Sequence, residues 1–177
     1  MVSKVPHDPN EVIALVNDKD EVIGSEKRGI VHEKGLKHRE VCAFIINSKK
    51  EVLFQQRVGS GNWDDSCSGH FPTEQSYIEA VQRECEEELG LALGETDFEF
   101  IKKDYFESGG KINKINNRFY NLYIVRKDIP LDQINFDKGE IMSVKYFNKS
   151  EVQKILEKGN LTLTTAYNLE KYILKLL

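Results

Sequence analysis

Three glutamates, Glu84, Glu87 and Glu88, are spaced so that a helix would present them on one face. At about 100° per residue, positions i, i+3 and i+4 lie together, and Glu86 points away from them. Like charges at this spacing destabilise a helix by roughly 0.2–0.5 kcal/mol per pair unless a cation lies between them. Carboxylate oxygens are hard ligands that suit Mg²⁺. The spacing therefore predicts a magnesium site, with a solvated acidic helix face as the more ordinary alternative.

The helix that would carry these carboxylates has clear start and stop signals. Ser76 and Glu79 form a capping-box pattern, in which each side chain accepts a hydrogen bond from the other residue's backbone N–H. Gly90 predicts the helix end because glycine tolerates left-handed backbone. Four apolar residues at helical spacing predict one buried stripe: Ile78, Val81, Cys85 and Leu89.

Residues 69–75 form a glycine-bearing loop that leads into this helix. A glycine permits close backbone approach, so the Gly69 carbonyl is a candidate oxygen ligand beside the glutamates. Arg83 stands four residues before Glu87, a spacing that predicts an ion pair across one helical turn.

The composition indicates a folded protein rather than a disordered one. Its 177 residues are 40% hydrophobic and 31% charged, which allows one domain with a sizeable core. The formal net charge of −4 argues against high-affinity duplex binding, so we expect no stable nucleic-acid partner. No apolar run approaches the roughly 20 residues of a membrane span. With no signal-peptide core and three cysteines that lack metal-ligand spacing, we expect free thiols in the cytoplasm.

The remaining segments are predicted to form strands around the central helix. We predict strands at 11–16, 21–24, 41–46, 51–56, 98–106, 118–125 and 141–147, with polar loops at 35–38 and 108–117. Two later helices are predicted, one capped by Asn148 and ending near Gly159, the other from about Thr164 to Leu177. Many strands with few helices predict an α+β sandwich.

Residues 69–91 resemble the signature of the Nudix hydrolases, G-x5-E-x7-R-E-U-x-E-E-x-G-U, where U is aliphatic. The matching positions are Gly69, Arg83, Glu84, Glu87, Glu88, Gly90 and Leu91, with Cys85 at the first aliphatic position. One position departs, because Gln75 stands where the family has a glutamate that mainly supports the motif arginine. We expect Gln75 to keep a hydrogen bond to Arg83 without the charge.

The resemblance implies a Nudix-type α/β/α sandwich with a mixed β-sheet. It implies one domain over residues 1–177, with 1–35 as an N-terminal strand extension and 36–177 as the Nudix core. Glu140, just before a predicted strand, matches a position where many Nudix enzymes carry a further catalytic or metal-binding glutamate. The alternative for Glu140 is a solvated loop residue.

The resemblance also implies Mg²⁺, with Mn²⁺ as a substitute, held by Glu84, Glu87, Glu88 and the Gly69 carbonyl. One of these carboxylates would also act as general base. The implied activity is hydrolysis of a diphosphate linkage in a nucleoside diphosphate derivative or similar small molecule, by a monomer or homodimer.

Candidate substrate contacts come from side chains outside the acidic helix. The guanidinium groups of Arg57 and Arg118 match phosphate geometry, and His70 is expected to line the cleft. Both arginines also fit an ordinary surface role. Aromatic candidates for stacking on a base, each equally typical of a core position, are Trp63, Phe71, Phe119 and Tyr120.

Outside the motif, residues 15–24, 36–39 and 53–57 resemble the Nudix branch related to isopentenyl-diphosphate isomerase. That chemistry needs a cysteine directly before the Gly-His pair and a glutamate on a later strand. Here Ser68 takes the cysteine's place, Cys67 should point to the opposite face, and Arg118 stands at the glutamate's counterpart. We therefore favour hydrolysis over isomerisation.

Two further alternatives stay open. His32, His38 and His70 match the isomerase's histidine-rich metal site, which would take zinc or manganese. Otherwise His38 orients the start of a strand and His70 lines the cleft. A non-catalytic Nudix-fold nucleotide-binding protein is the remaining alternative, and the presence of all three glutamates disfavours it.

Overall fold

A computed structural model describes residues 8–110 and 113–177 of the chain, as one mixed β-sheet with helices on both faces. Its strands are β1 Val12–Val16, β2 Val22–Lys27, β3 Lys37–Ile46, β4 Val52–Arg57, β5 Trp63–Asp64, β6 Cys67–His70, β7 Phe98–Gly110, β8 Asn113–Arg126 and β9 Ile141–Phe147. Its α-helices are α1 Arg28–Lys34, α2 Tyr77–Leu89, α3 Lys149–Lys158 and α4 Leu163–Asn168. The predicted α+β class with a mixed sheet is confirmed.

Strand β3 organises the sheet. One edge pairs in parallel with β8 over the whole length of β3. Its other edge is divided among three antiparallel partners, with β1 near the start, β6 in the middle and β4 at the end. Strands β2, β7 and β9 extend the sheet outward from β1, β8 and β4. Segments from distant parts of the sequence therefore meet along β3.

Side-chain alternation along β3 separates two buried cores. Val41, Ala43 and Ile45 belong to the core that includes the apolar stripe of α2. The intervening Cys42 and Phe44 belong to the core that includes residues of α3 and α4. Because neighbouring strand residues point to opposite faces, β3 holds helices on both sides of the sheet and creates the α/β/α layering.

Helix α2 has the predicted bounds and caps. The Glu79 carboxylate accepts from the Ser76 N–H at 2.8 Å, and Ser76 Oγ accepts in turn from the Glu79 N–H. Gly90 ends the helix in left-handed backbone with φ of 69°. Val81, Cys85 and Leu89 are fully buried. Local signals alone were sufficient to place this element.

Two predicted loops are partly strand. In the segment 108–117, β7 and β8 continue their pairing, with Glu107 opposite Asn117 and Ser108 opposite Asn116. The backbone ladder supplies this pairing, while the mostly polar side chains of the segment carry little strand signal of their own. Likewise, β3 already begins at Lys37, inside the predicted loop 35–38, because β8 pairs with it from there.

Helix α1 adds a helix to the N-terminal extension, which was predicted as strand alone. It has seven residues and no side-chain N-cap, so the sequence gives it little signal. Burial of Val31 and His32 and a left-handed Gly35 at its end hold it in place. The last helix is α-helical only over α4 and continues as a wider π-helical turn, Leu169–Ile173. Among the described residues, no helix is long and apolar enough to cross a bilayer.

The capping box of α2 gives a stability prediction. Ser76→Ala removes the acceptor for the Glu79 N–H, so the free energy of unfolding should fall by about 0.5–2 kcal/mol in chemical denaturation followed by circular dichroism. Ser25→Ala, at an exposed serine of β2, is the control and should change it by less than about 0.5 kcal/mol. Equal stability of the two variants would show that the cap contributes nothing.

Candidate active site

A cavity of about 520 Å³ opens where α2 meets β6. Its walls come from the N-terminal segment with α1, from β3 and β8, from the ends of β4 and β5, and from the start of α4. The predicted site residues that line it are Gly69, Glu84, Glu88, Glu140, Arg57, His70 and Arg118. The fold thus gathers residues separated by more than half the sequence around one space.

Glu84 reaches the cavity across the backbone of Gly69. The Glu84 side chain is 2% exposed, and its Oε1 lies 2.8 Å from Arg83 Nη2. A Cβ added at residue 69 would overlap the Glu84 carboxylate. Glycine at 69 leaves room for the Glu84 carboxylate in its present position, and β6 and α2 approach closely at this point.

Glu88 lies one turn further along α2 and is also buried, with 4% exposed. Its Oε2 accepts hydrogen bonds from Gln55 Nε2 and the Ser68 N–H, each at 3.0 Å. Burial raises the pKa of Glu88 well above its ordinary value, as do the nearby carboxylates of Glu84 and Glu140, while Arg57 lowers it. Three carboxylates therefore repel one another at this end of the cavity.

Glu87 is placed differently from the other two glutamates. It is exposed, it does not line the cavity, and its Oε2 lies 2.7 Å from Arg83 Nη1, which confirms the predicted pair. Arg83 Nε also donates to Gln75 Oε1 at 3.2 Å, so the predicted hydrogen bond of Gln75 is present. Arg83 Nη2 donates to the His70 carbonyl at 2.9 Å. Arg83 thereby fixes both the loop and the acidic helix.

The donor set at this end of the cavity fits a hard divalent cation. Glu84 and Glu88 project from consecutive turns of α2 beside Gly69, and Glu140, the residue before β9, faces them. Carboxylate and carbonyl oxygens suit Mg²⁺, whose charge would relieve the repulsion that raises the Glu88 pKa.

Arg57 is held at the edge of the acidic end by a residue that the sequence analysis missed. Its Nη1 lies 3.1 Å from Asp64 Oδ2 at the end of β5. The next residue, Asp65, is 3% exposed and also lines the cavity. Burial and the nearby carboxylates of Asp64 and Glu88 raise the pKa of Asp65 well above its ordinary value. The signal that was available in the sequence is the pair of adjacent aspartates, Asp64 and Asp65.

Arg118 lies in another wall and is 3% exposed. It forms an ion pair with Glu40 of β3, donates from Nη2 to Thr164 Oγ1, and stacks its guanidinium over the Phe106 ring at 5.4 Å. Glu40 was not singled out from the sequence, although a charged residue beside the apolar run of β3 was the available signal.

The three predicted histidines come together. Their candidate ligand atoms all lie within 4.8 Å of one another, and all three side chains are buried. Burial lowers the pKa of His38 to about 3 and lowers that of His70 well below its ordinary value. Nε2 of both His38 and His70 is buried without a hydrogen-bond partner among the described residues. Neutral imidazoles with unused nitrogens are a donor set suited to a transition metal.

Two residues are turned away from the cavity. Cys67 is fully buried in the core that contains Cys85, whereas Ser68 lines the cavity, as strand alternation predicts. Trp63, proposed as a substrate contact, is not brought to the cavity. Its ring packs edge-on against Phe147, with centroids 4.8 Å apart. Its backbone is bound to residues 160 and 162.

The chain is similar in sequence to known Nudix proteins and to isopentenyl-diphosphate isomerases. A NUDIX domain model matches residues 36–167. Nudix hydrolase 3 of Arabidopsis thaliana is 34% identical over 145 residues, which cover 76% of this chain and 18% of the plant protein. The isopentenyl-diphosphate Delta-isomerase of Serratia proteamaculans is 31% identical over 120 residues, 65% of each chain. The matches thus span less than two thirds of either relative.

The fold likeness extends to solved structures. The crystal structure of DR0079 from Deinococcus radiodurans superposes with a TM-score of 0.71 at 22% sequence identity, covering 91% of this chain and 98% of that one. A likeness at this identity shows a shared fold.

The close approach at residue 69 gives a second stability prediction. Gly69→Ala forces the Glu84 carboxylate to shift away from its ion pair with Arg83, and we expect this to cost about 1 kcal/mol of unfolding free energy, the low end for overpacking, measurable by chemical denaturation. Gly94→Ala is the matched control, because the nearest atom to its added Cβ would be Asp97 Oδ2 at 3.8 Å. If both variants lost the same stability, the close approach of Glu84 to Gly69 would be contradicted.

Proposed function

The chain belongs to the Nudix family, and from this premise we propose that it is a Mg²⁺-dependent hydrolase of a diphosphate linkage in a nucleoside diphosphate derivative or similar small molecule. The observation that carries the proposal is the placement of Glu84 and Glu88, buried on consecutive turns of α2, in one cavity with Gly69 and Glu140. A Mg²⁺ ion bound there would neutralise phosphate charge and lower the pKa of a water molecule.

The residues of this chain hold the reacting groups in that space. Glu84 and Glu88 supply metal ligands on a helix fixed by Arg83, and the Gly69 carbonyl lies beside them. Arg57, oriented by Asp64, donates to diphosphate oxygens. Glu140 accepts a proton from the attacking water. Among the carboxylates that line the cavity near Glu88, it is the least buried, so water reaches it most easily. Glu87, outside the cavity lining, holds Arg83 through their ion pair. We propose that it becomes a further metal ligand when Arg83 releases it.

Hydrolysis is favoured over isomerisation by the residues at two positions. The position before Gly69 and His70 carries a serine hydroxyl, and the thiol of Cys67 lies on the other side of β6. Arg118, at the counterpart of the isomerase glutamate, is an ion-paired cation rather than a proton acceptor. The three buried thiols, Cys42 among them, are consistent with a reducing compartment, and we propose the cytoplasm.

We also propose that His32, His38 and His70 bind a second, softer divalent metal such as Zn²⁺ or Mn²⁺. Three convergent imidazoles with lowered pKa values support it. The histidine site offers nitrogen ligands, whereas the site on α2 offers oxygen ligands. The two sites can therefore be tested independently.

The hydrolase proposal predicts Mg²⁺-dependent phosphate release from a panel of diphosphate compounds, lost with chelator. Glu84→Gln and Glu88→Gln should each lower kcat/KM by about 100-fold or more, because each neutralises a carboxylate in the cavity without changing its size. Glu86→Gln is the control on the same helix, since Glu86 is exposed and points away.

Wild-type rates in both cavity variants would overturn the assignment. Conversion of isopentenyl to dimethylallyl diphosphate by the same protein would show the isomerase instead. Tight binding of a diphosphate compound without turnover would show a binding protein.

The second metal is predicted to be retained by the wild-type protein at about one equivalent per chain when purified with Zn²⁺ and measured by inductively coupled plasma mass spectrometry. His38→Gln and His70→Gln should each lose it, because each removes a neutral nitrogen ligand. His7→Gln, at the remaining histidine of the sequence, should keep it. Equal metal content in all four proteins would eliminate the histidine site.

A further inference from the structure

Asp65 stands between β5 and β6, and hydrogen bonds fix its backbone at both ends of the residue. Its N–H donates to Asp64 Oδ1 at 3.1 Å and to Thr165 Oγ1 at 3.0 Å, while its carbonyl accepts from the Gln55 N–H at 3.4 Å. The residue lines the same cavity as the glutamates of α2. The backbone bonds therefore hold one more carboxylate in the wall of that cavity.

Asp65 differs from its neighbour Asp64 in what its carboxylate binds. Asp64 Oδ1 accepts from Thr162 Oγ1 at 2.5 Å and from Thr165 Oγ1 at 2.6 Å, and its Oδ2 pairs with Arg57. Asp65 is just as buried, yet its Oδ1 makes no hydrogen bond among the described residues. Most buried polar groups in native proteins are hydrogen-bonded, because an unsatisfied one is costly. The Asp65 carboxylate therefore lacks the partners that a structural role would require.

The groups around Asp65 make the missing partner more costly. Besides burial, the carboxylates of Asp64, Glu88 and Glu40 raise the pKa of Asp65, and hydrogen bonding by the Ser68 side chain offsets this rise only in part. A buried carboxylate that faces other carboxylates is stabilised by a cation between them. The position of Asp65 therefore favours a positively charged ligand.

The cation that the protein itself supplies there is shared. Arg57 binds Asp64 directly, and the charges of Asp64, Glu88 and Asp65 all raise its pKa. One guanidinium thus serves three carboxylates, which leaves an excess of two negative charges among these four groups. A divalent cation carries the charge that would balance this excess.

We propose that Asp65 is a further ligand for a hard divalent cation, which it binds together with Glu88. Glu88 lies within electrostatic reach of Glu84 and Glu140 as well as of Asp65. A cation beside Asp65 therefore extends the oxygen-ligand site from α2 to the segment between β5 and β6. Carboxylate oxygens, completed by water and phosphate oxygens, suit Mg²⁺. The inference deepens the proposed hydrolase function, on whose cation site it rests, by adding a ligand from another part of the chain.

Asp65→Asn tests the proposal first in the absence of metal, because it removes the charge and keeps the shape. With chelator present, thermal denaturation should give a melting temperature about 2–4 °C above that of the wild type, since a buried carboxylate repelled by its neighbours is neutralised. Asp64→Asn should lower the melting temperature, because it loses the charge that pairs with Arg57. A melting temperature of Asp65→Asn at or below that of the wild type would show a structural carboxylate and overturn the proposal.

Titration calorimetry with Mg²⁺ alone, on chelator-treated protein, measures the binding directly. Asp65→Asn should raise the Kd for Mg²⁺ by about 10-fold or more, since loss of even an outer-shell partner weakens metal binding by about 10–100-fold. Asp132→Asn, at an exposed aspartate outside the cavity lining, is the control and should leave the Kd unchanged. Mg²⁺ prefers oxygen ligands to imidazole, so the histidine site does not enter this measurement. Equal Kd values for the wild type and Asp65→Asn, or no Mg²⁺ binding by the wild type, would refute the assignment.

Failure of this inference can be distinguished from failure of the hydrolase proposal. Weaker Mg²⁺ binding by Asp65→Asn supports the ligand even if the wild type hydrolyses no diphosphate compound, in which case only the hydrolase proposal fails. If hydrolysis occurs, the Mg²⁺ concentration that gives half the maximal rate should rise about 10-fold in Asp65→Asn. A lower rate with an unchanged Mg²⁺ dependence would rule out Asp65 as a ligand and leave the hydrolase proposal intact.

Discussion

Helix α2 carries two carboxylates, Glu84 and Glu88, that are almost removed from water, and removing an ionised group from water costs several kcal/mol unless it is paired. The surrounding structure offsets part of that cost, although the pKa of Glu88 is still raised well above its ordinary value. Arg83 meets Glu84, while Gln55 and the Ser68 N–H meet Glu88. The apolar stripe on the neighbouring face of α2 anchors the helix in the core, so the carboxylates cannot turn outward to water.

The same constraint explains the loop before the helix. Arg83 bonds the loop through the His70 carbonyl and the Gln75 side chain, and it pairs with acidic groups on its own helix. Because Gln75 is neutral, the positive charge of Arg83 is balanced by Glu84 and Glu87. Loss of the usual glutamate therefore changes how the arginine's charge is shared without breaking its geometry.

The parts that the sequence predicted well are those set by neighbours in sequence. The cap, stripe and stop of α2 lie within one segment, so its bounds and its register with the family motif could be inferred without a structure. The three motif glutamates look equivalent in the sequence, yet Glu84 and Glu88 are buried while Glu87 is exposed, because burial depends on what β6 and β4 bring to the helix. Asp65 and Glu40 reach the cavity only through strand pairing across the sheet. The sequence did not predict the pairing at the ends of β7 and β8, because backbone hydrogen bonds rather than side chains stabilise it.

The cavity is lined both by residues inside the family match and by residues that precede it in the sequence. The family model begins at residue 36, yet Glu11, Arg28 and His32 line the cavity from before that point. A fragment trimmed to the shared core would keep the acidic helix and lose one wall of the space it faces. Substitutions upstream of residue 36 can thus reshape what the cavity admits while leaving the acidic helix α2 untouched. In such an arrangement, the residues that shape the cavity and the residues that supply its carboxylates are free to change at separate rates.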